Sequence, residues 1–204
     1  IWLGLDNGIN NINLRSPFKL FIKKNNFWGT IYTSIVYNNY LFVGTNQGLY
    51  YRKRNSDESF TFLENTQGQV RNLQEIDNAL FCSHDSGTFV IENLKAKLIS
   101  KIEGSWNIQK LNNTTLIQGN YDGLYVLNKV NNTWKIKNKI EGFSNSSRYF
   151  IINNENEIFV NHEYKGVFKL KINDDFTRVV EYIKDKCVEE GIRCGLFSYN
   201  RERL

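Results

Sequence analysis

Two histidines in the chain, His84 and His162, are each followed by a carboxylate, Asp85 and Glu163. Histidine beside an acid is the raw material of metal ligation and of acid–base chemistry. Metal ligation demands ligands that converge within a few ångströms, and these two pairs stand in non-adjacent copies of the repeat described below. They are read as polar turn residues, and no metal or other cofactor is expected. The sequence holds no Gly-x-Ser-x-Gly elbow, no phosphate-cradling loop and no carboxylate pair placed by spacing as in a glycosidase. An enzymatic alternative, a polysaccharide lyase or hydrolase, requires that His84, Asp122 and Glu163 meet at one place. Of the three cysteines, Cys82 sits in an apolar run and is read as buried. Cys187 and Cys194 could pair in an oxidising compartment or stand as free thiols.

The stronger chemical signal suits binding rather than bond breaking. The candidate ligand-binding residues are Arg71, His84, Trp106, Asn107, Asn120, Tyr121, Arg148, Tyr149, His162 and Tyr164. Asn46, Gln47, Asp85, Asp122, Glu163 and Lys165 stand in the same turns. Aromatic faces stack on sugar rings, and Asn, Asp and Arg hydrogen-bond hydroxyl groups. Such residues make a site only if the fold delivers them to one face. Otherwise Trp106 and Tyr149 are packing residues and the rest are solvated turns.

The elements that would deliver them come from a repeat. Ile1-Trp2-Leu3-Gly4-Leu5-Asp6-Asn7-Gly8-Ile9 is echoed by Leu41-Phe42-Val43-Gly44-Thr45-Asn46-Gln47-Gly48-Leu49. Further copies run from Leu80 to Thr88, Thr115 to Leu124 and Ile158 to Val167. Their closing glycines, Gly8, Gly48, Gly87, Gly123 and Gly166, are spaced 40, 39, 36 and 43 residues apart. Each copy reads as a hairpin, with apolar alternation on both sides of an Asn, Asp and Gly turn. The fourth and fifth copies read as carrying one extra turn residue, which brings in Tyr121 and Tyr164. A short strand precedes each hairpin and a further apolar stretch follows it, giving four strands in about forty residues. That is the signature of a propeller blade.

The expected fold is therefore all-β, a β-propeller segment of about four complete four-stranded blades with partial blades at both ends. The blades are expected at 31–69, 70–105, 106–147 and 148–190. Residues 1–30 would end a preceding blade, and 191–204 would begin the next. The only helix-like stretch, Asp174 to Glu190, has a β-branched content that favours strand or loop. The chain opens at Ile1 without methionine and stops at Leu204, both within strand-like sequence, which suggests an excerpt of a longer protein.

Composition narrows the classes further. Hydrophobic residues make up 41% and aromatics 14%, too much for disorder. No apolar run approaches the ~18 residues of a membrane span. Asparagine supplies roughly one residue in seven, as many tight turns would require. The net charge is +5, but lysine and arginine are scattered, with small clusters at Lys23-Lys24 and Arg52-Lys53-Arg54. No nucleic-acid partner is expected from that pattern.

The Ile1–Asn10 and Leu41–Leu49 patterns, aromatic or apolar residues followed by a turn and Gly-Leu or Gly-Ile, resemble the two-component regulator propeller repeat. Gly44 to Tyr51 and His162 to Phe168 resemble related one-piece regulators, with a propeller ectodomain, a triple-tyrosine domain, a membrane span and a helix-turn-helix output. The third copy departs from the pattern, with Ser83-His84 in place of Gly-Thr. The resemblance implies a periplasmic, membrane-anchored sensor segment that takes part in signal transduction and transcription regulation without being an enzyme itself. It implies an oligosaccharide ligand, and as partners the remaining blades and downstream domains of the same polypeptide, with a homodimer formed through the full-length protein. A scaffold that binds no glycan is the third alternative.

Overall fold

The computed structural model describes residues 2–5, 8–11, 13–15, 28–184, 198–199 and 202–203. Among them the only regular elements are strands. The first copy of the repeat forms a hairpin, β1 (Trp2–Leu5) with β2 (Gly8–Asn11). Four four-stranded antiparallel sheets follow. The first holds β3 (Ile31–Tyr37), β4 (Tyr40–Thr45), β5 (Leu49–Lys53) and β6 (Thr61–Phe62). The second holds β7 (Val70–Ile76), β8 (Ala79–His84), β9 (Gly87–Glu92) and β10 (Lys95–Ser100). The third holds β11 (Asn107–Lys110), β12 (Thr115–Asn120), β13 (Gly123–Val130) and β14 (Thr133–Lys139). The fourth holds β15 (Tyr149–Asn154), β16 (Glu157–His162), β17 (Gly166–Ile172) and β18 (Val179–Lys184). A last short hairpin joins β19 (Ser198–Tyr199) to β20 (Glu202–Arg203). The all-β blade architecture expected from the repeat is the one observed. Cys187 and Cys194 lie outside the described residues, as does the end of the 174–190 stretch.

The hairpins explain the asparagine content. Asn38-Asn39, Asp77-Asn78, Asn93-Leu94 and Asn131-Asn132 all have positive φ at both positions, the geometry of a type I′ turn. Of eleven non-glycine residues with positive φ among the described residues, eight are asparagine. Asn112 and Asn154 act differently: each side-chain carbonyl accepts a backbone N–H two residues on, from Thr114 and Asn156. Asn120 pairs with Gly123 as His84 pairs with Gly87, so the third sheet's hairpin has the ordinary two-residue loop. Only the fourth sheet, where His162 pairs with Gly166, carries the extra residue. The copy is aligned from Leu116, not Thr115, and Tyr121 then occupies an ordinary turn position.

Neighbouring sheets pack face to face, and strand alternation assigns the residues. Phe42 of the first sheet packs with Leu73, Leu80, Cys82, Phe89 and Ile91 of the second. The opposite face of the second sheet, Phe81 and Val90, packs with Ile108, Leu116, Leu127 and Trp134 of the third. Ile117, Leu124 and Val126 then meet Phe150, Ile158, Val160, Phe168 and Leu170 of the fourth. The two central sheets are thus buried on both sides, which is why β8 and β12 read as continuous runs rather than alternations. Burial pushes the Cys82 thiol up to about 12, so it behaves as a small apolar side chain.

The first strands of successive sheets lie side by side, β3 by β7, β7 by β11 and β11 by β15. Two glutamines at equivalent register join them. Gln74 Oε1 accepts from Ile108 N–H at 2.9 Å. Gln109 Nε2 donates to the Phe150 carbonyl at 2.6 Å, and its Oε1 accepts from Ile152 N–H. An inner strand has a free edge, and these amides satisfy backbone groups there. Replacing Gln109 by Leu keeps the volume but strands two backbone groups of β15. The variant is expected to lose about 1–3 kcal/mol in urea unfolding; an unchanged midpoint would show that the amide joins nothing that matters.

Candidate functional site

Strand register brings one residue of each sheet to the same place. Thr33 pairs with Gly44, Asn72 with Ser83, Asn107 with Gly119 and Tyr149 with Asn161. The residues just before these four are Tyr32, Arg71, Trp106 and Arg148. In the first two sheets a register shift between Ile31 and Thr33, and between Val70 and Asn72, leaves Tyr32 and Arg71 as bulged residues. Because the first strands adjoin, these equivalent side chains line one cavity of about 360 Å³, together with Asn72, Asn107 and Tyr149.

Cations and rings alternate along its wall. The Arg71 guanidinium lies 4.5 Å from the Trp106 ring, 5.8 Å from Tyr32 and 5.9 Å from Tyr121. Arg148 lies 4.8 Å from Trp106 and 4.9 Å from Tyr149. These are cation–π distances. Tyr121 meets Trp106 edge-on at 5.3 Å and accepts a 2.7 Å hydrogen bond from Arg71 Nη2. Gly104 makes room for that ring: a Cβ there would lie 2.2 Å from Tyr121. Arg148 Nη1 donates to Glu163 Oε1 at 2.6 Å. Asn72 Nδ2 donates to Asn107 Oδ1 at 3.2 Å, tying the second inner strand to the third.

The sequence candidates divide accordingly. Arg71, Trp106, Asn107, Arg148 and Tyr149 line the cavity, and Tyr121 supports it from behind Arg71. Tyr32 and Asn72 were not among the candidates; repeat register would have found Tyr32, since it is the first-sheet equivalent of Arg71. His84 and Asn120 belong elsewhere: both end a strand and are fully buried. Asn120 donates to the Glu103 carbonyl and accepts from Gln118, which in turn accepts from Thr88 of the second sheet. His162 accepts from Tyr164 N–H, and the exposed Tyr164 ring stands edge-on to it. Neither residue is on the cavity wall.

His84 packs its Nε2 against the Thr66 carbonyl at 3.3 Å, and Nδ1 accepts from Ser86 N–H at 3.1 Å. The Asp85 carboxylate also sits 2.7 Å from Nδ1. Desolvation holds the imidazole below its ordinary pKa, and the Arg71 charge acts the same way; Asp85 and the Thr66 carbonyl oppose them. His162 is lowered too, by burial and then by Lys165, with Glu163 opposing. Asp122 is held below the usual carboxylate range: burial would raise it, but hydrogen bonds from Lys139 at 2.6 Å and Tyr125 at 2.9 Å outweigh that. Burial and that carboxylate together push the Tyr125 hydroxyl up to about 12. The three residues on which an enzymatic reading depended are thus each engaged locally, His84 with Ser86 N–H and the Thr66 carbonyl, Asp122 with Lys139 and Glu163 with Arg148. Among the described residues no three His, Cys, Asp or Glu side chains are grouped to hold a metal.

A second cavity of about 370 Å³ lies on the fourth sheet, lined by Asn154, Asn156, Glu157, Lys169, Lys171, Glu181 and Ile183. Its Lys169 is paired with Glu157 at 2.6 Å. In the second sheet the strand position of Lys169 is held by Val90, which is buried against the third sheet. This cavity therefore occupies a sheet face of the kind that the inner blades cover.

Because His84 is depressed, the folded chain resists a proton that the unfolded chain accepts near pH 6.5. Stability is full above that value and falls as the pH drops from it through the folded pKa. His84→Asn, which copies Asn120 at the equivalent position, should flatten the fall in urea midpoint between pH 7 and 5. His162→Asn should flatten it less, since that ring is only half-buried. An unaltered slope in His84→Asn would remove His84 as the cause.

No family model and no curated protein matches the sequence. Solved structures do match in fold. The extracellular domain of a protein described as the hybrid two component system BT3049 of B. thetaiotaomicron superposes with a TM-score of 0.60 at 13% identity, covering 82% of this chain and 26% of that one. The corresponding domain of BT4673 from the same organism gives 0.55 at 17% identity, covering 83% and 23%. The WD40 β-propeller domain of Doa1 gives 0.53 at 11% identity, covering 77% and 55%. The chain thus spans about half the length of the WD40 domain and about a quarter of the two ectodomains. The likeness is one of β-propeller fold.

Proposed function

We propose that this chain is the ligand-binding segment of an extracytoplasmic bacterial sensor, non-catalytic in itself, and that its ligand is a saccharide. The observation that carries the reading is the cavity to which each of the four sheets contributes a register-equivalent residue: Tyr32, Arg71, Trp106 and Arg148. A site shared by four blades senses their relative placement, which is what a receptor segment must couple to a ligand. Its wall mixes exposed aromatic surface with amide and guanidinium groups, the chemistry that holds a sugar ring and its hydroxyls. The fold likeness to the extracellular domains of two proteins described as hybrid two-component systems supports the sensor reading. A periplasmic location, membrane anchoring, control of transcription by a downstream output, and dimerisation of the full-length protein belong to the same proposal. The other blades and output domains of the same polypeptide would be its partners.

Isothermal titration against a panel of defined oligosaccharides tests it. One chemical class should bind, Trp106→Ala should weaken that class at least tenfold with little change in melting temperature, and the sugar should be recovered intact. Binding of no saccharide would favour a scaffold. Release of cleaved product that persists on repurification would favour a hydrolase or lyase.

A further inference from the structure

Charge and hydrogen-bond demand in the cavity are unbalanced in one direction. Arg148 has a carboxylate partner in Glu163. Arg71 has none among the described residues: its hydrogen-bond partner is the Tyr121 hydroxyl, and it is otherwise surrounded by the rings of Tyr32, Trp106 and Tyr121. Cation–π contact offsets part of the cost of desolvating that guanidinium but supplies no counter-charge.

Among the lining residues, the buried side-chain atoms left without a partner are both donors. Arg71 Nε and Trp106 Nε1 are both buried atoms with no hydrogen-bond partner among the described residues. The side-chain carbonyls of the asparagine pair are already in use. Asn72 Oδ1 accepts from Leu73 N–H, while Asn107 Oδ1 accepts from Asn72 and from Ile108 N–H. A neutral hydroxyl both donates and accepts, so it answers such a wall only in part. A carboxylate or sulfate is acceptor-only, carries the missing charge, and matches the planar fork of arginine.

Resting on the reading of this cavity as a saccharide site, we infer that its ligand is an acidic saccharide whose carboxylate or sulfate ester is received by Arg71, with Trp106 Nε1–H as a second donor. Arg148, already neutralised by Glu163, braces the Trp106 ring rather than taking the anion. Tyr32, at the rim and 46% exposed, offers its ring to the sugar face.

The test titrates the intact chain with three tetrasaccharides of matched length: a galacturonate, a sulfate-ester-bearing oligomer and a neutral glucan. Inorganic sulfate is the fourth probe. At least one acidic oligomer should bind tenfold or more tighter than the neutral one, and its affinity should fall with rising salt. Comparison of the two acidic arms separates carboxylate from sulfate. Arg71→Gln should abolish the preference, Arg71→Lys should retain part of it, and Arg148→Gln should weaken it less than Arg71→Gln. Circular dichroism and melting temperature identify any variant that fails to fold; Arg71→Lys, which keeps the charge, then carries the comparison. Equal or tighter binding of the neutral glucan, insensitive to Arg71→Gln, overturns this inference and leaves saccharide binding standing. Arg71-dependent binding of inorganic sulfate with no oligosaccharide bound overturns the saccharide reading and keeps the anion site. Binding of none of the four overturns both.

Discussion

Everything in this molecule depends on sheets packing face to face while their first strands stay adjacent. A four-stranded antiparallel sheet has two faces, and the central sheets here bury both. Leu80 and Cys82 serve one core while Phe81 between them serves the next, and Leu116 and Ile117 divide in the same way. That packing fixes the angle between successive blades. Gln74 and Gln109 then fix the inner strands against each other, each answering backbone groups that a sheet edge leaves open. A site assembled from one residue per blade needs this kind of rigidity, because its parts share no local sequence.

The same arrangement shows why aromatic and cationic side chains gather at the start of the inner strands. Core positions are committed to packing, and hairpin positions such as His84 and Asn120 are committed to satisfying buried backbone and side-chain groups. The residue that precedes or bulges from the first paired position is released from both duties. In the four sheets it is Tyr, Arg, Trp and Arg, and their side chains interleave across three blade boundaries. Glu163 neutralises one arginine from the following hairpin, while Arg71 is left to aromatic rings and a tyrosine hydroxyl. The asymmetry between two otherwise equivalent arginines gives the cavity its character.

Much of this was legible in the sequence because propeller blades repeat. Glycine spacing gave the period, and apolar alternation gave the strands. Asparagine excess gave the turns, which Asn38-Asn39 and Asn131-Asn132 bear out in their positive φ angles. Arg71, Trp106, Asn107, Arg148 and Tyr149 were recognisable as residues entering inner strands. Tyr32 is reached only by aligning the first sheet with the second, where it matches the equally bulged Arg71. His84 and Asn120 were misplaced for a different reason: they look like turn residues but are the last, buried residues of their strands. The inter-blade glutamines left no local signal, since a polar residue within a short strand reads as solvent-facing until the neighbouring strand edge is known.

The central claim is that ligand recognition occurs where the four inner strands begin and not in the cavity on the fourth sheet. Side-chain NMR of the folded chain during titration with a bound oligosaccharide decides between them. The expected result is a concerted shift of the Trp106 indole Nε1–H and the Arg71 Nε–H resonances, both of which lack a partner within the described residues. Shifts confined to Asn154, Asn156 and their neighbours around Lys169, with Trp106 and Arg71 unmoved, would contradict it.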